Sequence, residues 1–148
     1  MKIVRRPAAM RALVREARRR GKTVGFVPTM GALHEGHAAL IRHGVELSKS
    51  SGLEAGCVVS IFVNPTQFND PADFRRYPKT LDADLEVCRS AGAKAVFVPE
   101  VDAMYPDSAS APVPTLPSVA TEPGLEDRFR PGHFAGVCQV VLRLFRLL

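Results

Sequence analysis

Long apolar runs, paired cysteines and a strong charge of one sign are all missing from this sequence. No stretch approaches the roughly 18 apolar residues of a membrane-spanning helix, and no apolar signal core follows the charged amino terminus. The three cysteines lie far apart, without the spacing of a zinc site, which favours reduced thiols. These absences predict a cytoplasmic globular protein without a membrane partner.

The charge balance does not favour a nucleic-acid partner either. The net charge is only +5, and much of it comes from a cluster at 15–20 with no aromatic residues interleaved. We interpret that cluster as a solvated helix face. A basic protein nevertheless suits phosphate-bearing substrates.

Apolar segments of strand length alternate with helical patterns along the 148 residues, a length typical of one domain. The pattern predicts strands over 22–27, 57–63 and 95–98, with helices starting near Pro7, Gly36, Thr80 and His133. Residues 69–78 and 106–123 are predicted as loops. The uninterrupted apolar run over 57–63 is typical of a central parallel strand. The alternation predicts an α/β fold with a doubly wound parallel sheet.

Residues 28–37, Pro-Thr-Met-Gly-Ala-Leu-His-Glu-Gly-His, lie where a predicted strand gives way to a helix. The carboxyl end of a parallel strand is the usual ligand position, and a helix N-terminus suits phosphate. His34 and His37 add donors, while Gly31 and Gly36 allow close backbone approach. We interpret this segment as a nucleotide-phosphate site. The alternative is a turn followed by one core histidine.

Three common active-site patterns are absent: a dinucleotide glycine fingerprint, a P-loop and a Ser-His-Asp arrangement. Asn64 and Gln67 follow the next strand at the same sheet edge, so we expect Gln67 and His37 to face a shared pocket. Two imidazoles could stabilise charge on an α-phosphate as pyrophosphate leaves, by positioning and electrostatics. For Asn64, His133, Asp82 and Asp84 we favour structural roles.

Five blocks resemble, in order, the pantothenate synthetase family (pantoate–β-alanine ligase, AMP-forming). They cover 28–37, 59–68, 77–80, 104–106 and 130–137. The first block alone is similar to the wider HxGH nucleotidyltransferase superfamily. The resemblance implies a Rossmann-like doubly wound sheet.

The resemblance also implies a two-step reaction that needs ATP and Mg²⁺. Pantoate and ATP would give pantoyl adenylate, and β-alanine would then release AMP and form pantothenate. His34 and His37 would be catalytic, with His37 as the acid. The implied ATP loop comprises Met30, Gly31, Ala32, Leu33, His34, Glu35, Gly36 and His37. The implied pantoate and β-alanine contacts are Gln67, Pro28 and Met30.

By the same resemblance, residues 1–148 would be an incomplete nucleotide-binding domain that stops before its last strands. A carboxyl-terminal lid domain would be absent, and we expect impaired activity of the chain alone. The family is commonly dimeric, so a homodimer is expected. Two alternatives stay open: another HxGH-type nucleotidyltransferase, and a non-catalytic nucleotide-binding remnant.

Overall fold

The structure is a computed structural model that describes residues 1–50, 56–106, 115–116 and 129–148. These residues form two compact units. The first unit contains Met1–Phe62, Pro78–Glu100 and Leu148, and the second contains Val63–Tyr77 and Val101–Leu147. Most of the loop predicted over 106–123 lies outside the described residues.

The first unit is a parallel sheet with helices. Its strands are β1 (Lys2–Val4), β2 (Gly25–Thr29), β3 (Cys57–Ile61) and β4 (Ala95–Phe97), in the order β1-β4-β3-β2. All three strand pairs are parallel, with Val59 of β3 beside Val27 and Val96. The α-helices of the described residues are α1 (Pro7–Arg19), α2 (Glu35–Ser50), α3 (Pro71–Arg76), α4 (Leu81–Ser90), α5 (Val101–Met104) and α6 (His133–Leu147).

The connections wind the sheet in two directions. From β1 the chain passes through α1 to the far edge at β2, and it then returns strand by strand through α2 and α4. Because such parallel crossovers are right-handed, α1 lies on the face opposite α2 and α4. The predicted doubly wound parallel sheet is confirmed.

One hydrophobic core cluster of the first unit lies between the sheet and the α2–α4 layer. Successive residues of a strand point to opposite faces, so β3 gives every second side chain to this core. Because both faces of β3 are buried, its sequence reads as a continuous apolar run. The cluster is made of Ala38, Ile41, Cys57, Val59, Ile61, Cys88, Ala91, Ala93 and Val96.

Strand β1 was missing from the sequence prediction, and β2 covers Gly25–Thr29 instead of the predicted 22–27. Strand β1 has three residues and two of them are exposed, so it carries no apolar run to detect. Strand β2 continues through Pro28 and Thr29, which were predicted to lie in the loop. Within the described residues β2 pairs only with β3, and an edge position tolerates a proline.

The predicted loop over 69–78 was wrong, since it contains helix α3. Pro71 occupies the first turn, and the Asp70 carboxylate accepts the N–H of Ala72 at 2.7 Å. An aspartate cap followed by proline is a helix-start signal. The short length of α3 hid its periodicity.

Helical spacing in the sequence predicts that Leu40 and Phe145 are buried and that His43 is exposed, and the first two predictions were wrong. Leu40 of α2 and Phe145 of α6 are each 58% exposed. The buried side of α2 instead contains Ala38, Ile41 and Ser48, while His43 is exposed as expected. Among the described residues, no helix has the length and apolar character to cross a membrane.

Candidate active site

The loop between β2 and α2 is held by a buried carboxylate from α4. Asp84 is 2% exposed, and its two oxygens accept the N–H groups of Ala32 (3.1 Å) and Leu33 (2.7 Å). The hydroxyl of Thr80 donates to the same carboxylate at 3.3 Å. Thr80 precedes α4, as its place in the sequence predicts, but its side chain makes no capping bond to the helix. Asp84 is structural, but what it supports is the histidine loop.

The loop needs this anchor because its backbone is strained. Gly31 and Ala32 both have positive φ, 84° and 51°, and alanine adopts that region only at a cost of about 1 kcal/mol. A Cβ on Gly31 would also lie 2.9 Å from Asp84 Oδ2, so the carboxylate could not approach as it does. The glycine and the aspartate thus fix the turn that precedes the histidines.

Backbone contacts determine the tautomer of both imidazoles. The N–H of Gly36 donates to Nδ1 of His34 at 3.1 Å, and the N–H of His34 donates to Nδ1 of His37 at 3.4 Å. A neutral ring that accepts at Nδ1 carries its proton on Nε2. The two rings lie 4.2 Å apart between centroids, tilted by 58°. The loop therefore presents two neighbouring Nε2–H donors.

The loop differs from a phosphate cradle built of backbone N–H groups. The Gly31 N–H donates to the Thr29 hydroxyl at 3.3 Å, and Asp84 accepts the next two N–H groups. At the start of α2, the carbonyl of His34 accepts the N–H groups of His37 and Ala38. Since these donors are already used, the imidazole Nε2–H groups are the donors best placed for an anion.

The pKa of His37 is lowered by its surroundings. Partial burial has the largest effect, and a charge on His34 adds to it, while the Asp84 carboxylate raises the pKa in opposition. His37 is therefore a neutral imidazole at pH 7, and its Nε2–H acts as a hydrogen-bond donor rather than a standing positive charge.

We expect the ring of His37 to titrate below pH 6.5. The unfolded chain binds this proton more readily than the folded chain, so the free energy of unfolding decreases as pH falls through 6.5. Ring ¹H–¹⁵N NMR during a pH titration measures the midpoint. His34→Gln should raise the pKa of His37, because it removes the charge on His34 that lowers it. A wild-type midpoint at or above 6.5 would contradict this account.

A second cluster, in the other compact unit, surrounds the carboxamide of Gln67. Asn64 is completely buried, and its Nδ2 donates to Gln67 Oε1 (3.2 Å) and to the Gly136 carbonyl (3.1 Å). Asn64 also caps the 3₁₀ turn Pro65–Gln67, since its Oδ1 accepts the Thr66 N–H at 3.3 Å. Gln67 itself is 7% exposed.

Helix α6 begins against this turn. Its first residue, His133, makes a 3.0 Å contact between Nδ1 and the Gln67 carbonyl. One turn later, a Cβ on Gly136 would lie 2.6 Å from the Thr66 carbonyl oxygen and 2.7 Å from Gln67 Cα. Only glycine permits the helix to approach the turn this closely.

Comparison with known proteins gives these clusters a family context. A family model described as pantoate-beta-alanine ligase matches residues 2–148. The chain belongs to that family. The pantothenate synthetase of Nocardioides sp. is 50% identical over 92% of this chain and 40% of its own length. That of Phocaeicola vulgatus is 45% identical over 100% of this chain and 49% of its own.

Solved structures of the ligase family share the fold. The pantoate-beta-alanine ligase of Francisella tularensis, complexed with beta-gamma ATP and beta-alanine, has a TM-score of 0.82 and 37% identity, covering 99% of this chain and 53% of that one. Pantothenate synthetase from Thermus thermophilus has a TM-score of 0.78 and 37% identity, covering 99% and 49%. The chain spans about half the length of these relatives. The Rossmann-like fold implied by the resemblance is confirmed.

The residues assigned to the ligase site from the sequence occupy varied positions. Pro28 is exposed at the end of β2, Met30 is half-buried in the loop, and Glu35 is exposed and paired with Arg42. Sequence reasoning missed the loop-holding role of Asp84 and the close approach at Gly136. Among the described residues, no group of three or more His, Cys, Asp or Glu side chains could hold a metal ion.

Gly136→Ala should destabilise the ligase fold, although alanine is normally favoured in helices. Removing a mid-helix glycine gains up to about 1 kcal/mol, but overpacking a tight contact typically costs about 1–3 kcal/mol. Because the clash is with backbone atoms, we expect a net loss of about 2 kcal/mol. Urea unfolding measures it, and Gly44→Ala, whose Cβ would lie 3.2 Å from the Cys57 side-chain sulfur rather than against backbone, should cost less. Unchanged or increased stability of Gly136→Ala would contradict the close approach.

Proposed function

We propose that this chain supplies the nucleotide-binding part of a pantoate–β-alanine ligase. In the first step a pantoate carboxylate oxygen bonds to the α-phosphorus of ATP. The bond from that phosphorus to the bridging oxygen breaks, and pyrophosphate leaves with the electron pair. In the second step the amine of β-alanine attacks the acyl carbon of pantoyl adenylate and expels AMP. Family membership supports this reaction, as does the Francisella tularensis ligase complexed with beta-gamma ATP and beta-alanine.

The paired imidazoles are the observation that carries the proposal. His34 and His37 both accept backbone N–H groups at Nδ1, so both direct a fixed Nε2–H away from the loop. Two such donors 4.2 Å apart between ring centroids suit neighbouring phosphate oxygens. Since the rings are already oriented, little reorganisation is needed as charge builds up on the phosphates.

His34 and His37 act by hydrogen bonding to the phosphate oxygens, without forming a covalent bond to substrate. The lowered pKa keeps His37 neutral before ATP binds. Because the neutral ring keeps Nδ1 as the acceptor of the His34 N–H, its Nε2–H stays directed at the phosphates as pyrophosphate leaves. Met30, Gly31, Ala32, Leu33, Glu35 and Gly36 complete the ATP loop in this proposal.

Gln67 is proposed to bind pantoate close to the β-alanine position. Its Oε1 accepts from Asn64, so the amide Nε2 is the end that can donate to a carboxylate or hydroxyl oxygen. Pro28 and Met30, at the end of β2 and the start of the loop, are proposed to contact the same substrate.

Mg²⁺ is proposed to accompany ATP and to neutralise phosphate charge. The described residues offer no cluster of three protein donors, and Asp84 is already engaged by backbone N–H groups. Magnesium is commonly held by substrate phosphates with few protein ligands, so we assign it no protein ligand. A cytoplasmic homodimer without nucleic-acid or membrane partners completes the proposal.

ATP calorimetry of the 148-residue chain tests this function, together with pyrophosphate release from a chimera in which residues 1–148 replace the corresponding half of the Francisella tularensis ligase. We expect ATP to bind in the presence of Mg²⁺, and pantoate to stimulate pyrophosphate release. His34→Ala and His37→Ala should lose ATP affinity, while Gln67→Ala should keep it and lose the response to pantoate. His43→Ala is the matched control, since His43 is exposed on α2.

The outcomes separate the alternatives. ATP binding without pantoate-dependent pyrophosphate release would indicate a non-catalytic nucleotide-binding protein. Equal loss of ATP affinity in Gln67→Ala and His37→Ala would contradict the separate roles given to the two clusters.

A further inference from the structure

The orientation of the Asn64 amide is determined by two backbone groups. The N–H of Thr66 can only donate, so the atom 3.3 Å from it must be Oδ1. The carbonyl of Gly136 can only accept, so the atom 3.1 Å from it must be Nδ2. Because Asn64 is completely buried, water does not compete for these bonds.

The orientation of Gln67 follows from that of Asn64. Nδ2 of Asn64 is a donor, so the Gln67 atom 3.2 Å away must be Oε1. The opposite end of the Gln67 carboxamide is then Nε2, whose partners must be acceptors. The Thr66 N–H and the Gly136 carbonyl thus determine the orientation of the Gln67 carboxamide through one buried asparagine.

Tyr105, which lies outside the Pro65–Gln67 turn, also hydrogen-bonds to this asparagine. Its hydroxyl donates to Asn64 Oδ1 at 2.9 Å, and the hydroxyl of Thr66 donates to the same oxygen at 3.0 Å. The guanidinium carbon of Arg143 lies 5.4 Å from the centroid of the Tyr105 ring. A cation–π interaction at this distance stabilises the position of the ring. Burial raises the pKa of Tyr105, so the hydroxyl stays protonated and able to donate.

We propose that Tyr105 is a positioning residue that, through Asn64, keeps the donor end of Gln67 directed at the hydroxy-acid substrate. The identity of the substrate, pantoate, rests on the proposed function. The Tyr105–Asn64–Gln67 connection rests on geometry alone. Without the phenolic hydroxyl, Asn64 loses its shortest side-chain bond, and the Asn64–Gln67 contact becomes less populated. Donation from Gln67 Nε2 to the substrate then weakens.

NMR of the side-chain amides tests the connection without any ligand. The chain has only two asparagines and two glutamines, Asn64, Asn69, Gln67 and Gln139, so each NH₂ pair can be assigned by single substitutions. In Tyr105→Phe, the pairs of Asn64 and Gln67 should shift while those of Asn69 and Gln139 stay in place. In the wild-type chain, nuclear Overhauser contacts should connect the Tyr105 ring to the Asn64 side chain. Unmoved Gln67 signals, or absent wild-type contacts, would overturn the proposal.

A double-mutant cycle tests the consequence for the substrate. Tyr105→Phe should weaken pantoate binding to the ATP-loaded chain by about three- to ten-fold, as expected for one neutral hydrogen bond. Its affinity for ATP alone should be unchanged. In a Gln67→Ala background, Tyr105→Phe should have no further effect on pantoate.

The readouts separate this inference from the proposed function. Equal losses for ATP and pantoate, or a Tyr105→Phe effect that persists in Gln67→Ala, would indicate general destabilisation and overturn the positioning role. A wild-type chain that binds no pantoate contradicts the proposed function instead. The amide spectra then still decide whether Tyr105 orients Gln67.

Discussion

Replacing His37 by alanine is expected to slow pantoate-dependent adenylation by about 10²–10³-fold, or 2.7–4 kcal/mol, the usual cost of one oriented donor. The substitution removes an Nε2–H whose direction is fixed by the His34 N–H at Nδ1. Because that donor matters most as charge develops, kcat should fall more than KM for ATP rises. Pantoate-dependent exchange of labelled pyrophosphate into ATP measures the rate.

The same measurement needs a scaffold of full family length and matched variants. A chimera in which residues 1–148 replace the corresponding half of the Francisella tularensis ligase supplies the scaffold. His37→Gln, which keeps an N–H donor, should retain more activity than His37→Ala. His43→Ala, which replaces an exposed histidine on the same helix, should leave the exchange rate unchanged. A His37→Ala rate within threefold of wild type would refute the assignment.

Asp84→Asn is expected to cost about 3 kcal/mol of folding stability and to weaken ATP binding as well. The amide oxygen can accept one of the two loop N–H groups, but its NH₂ then meets the other donor. A buried donor left without an acceptor costs about 1–3 kcal/mol, and a charge-assisted bond is lost besides. The strained turn at Gly31 and Ala32 loses its anchor, so the histidines lose their fixed position.

Asp82→Asn is the matched control, since Asp82 is an exposed aspartate in the first turn of the same helix. Urea unfolding gives the stability, and ATP calorimetry under strongly native conditions gives the affinity. Asp84→Asn should change both quantities, whereas Asp82→Asn should change neither substantially. Wild-type ATP affinity in a destabilised Asp84→Asn variant would mean that the carboxylate supports the fold without organising the site.

The sequence predicts a strand of the sheet well where burial requires a recognisable run of apolar residues. Strand β3 is buried on both faces, so its apolar run revealed both its existence and its central position. Strand β1 has three residues on an edge and no such trace. Leu40 was wrongly predicted to be buried. The helical spacing of apolar residues shows which side chains could face the core, but the width of the buried face depends on what packs against the helix.

The histidine loop could be recognised locally, but its support could not. His34, Gly36 and His37 interact within four positions of one another, so the motif already contains the geometry of the rings. Asp84 meets the loop from more than 50 positions away, and in the sequence it resembles any acidic residue in a first helical turn. Gly136 approaches Thr66 and Gln67 across a similar separation.

His34 and His37 are expected to present fixed Nε2–H donors to the phosphates of ATP. Ring ¹H–¹⁵N spectra of the 148-residue chain, recorded at pH 7 with and without ATP, test this expectation most directly. Before ATP is added, the neutral form of each ring should carry its proton on Nε2 and leave Nδ1 as an acceptor. ATP should shift the Nε2 signals of both rings and leave the exposed His43 unchanged. Neutral rings protonated at Nδ1, or Nε2 signals that ignore saturating ATP, would contradict the account.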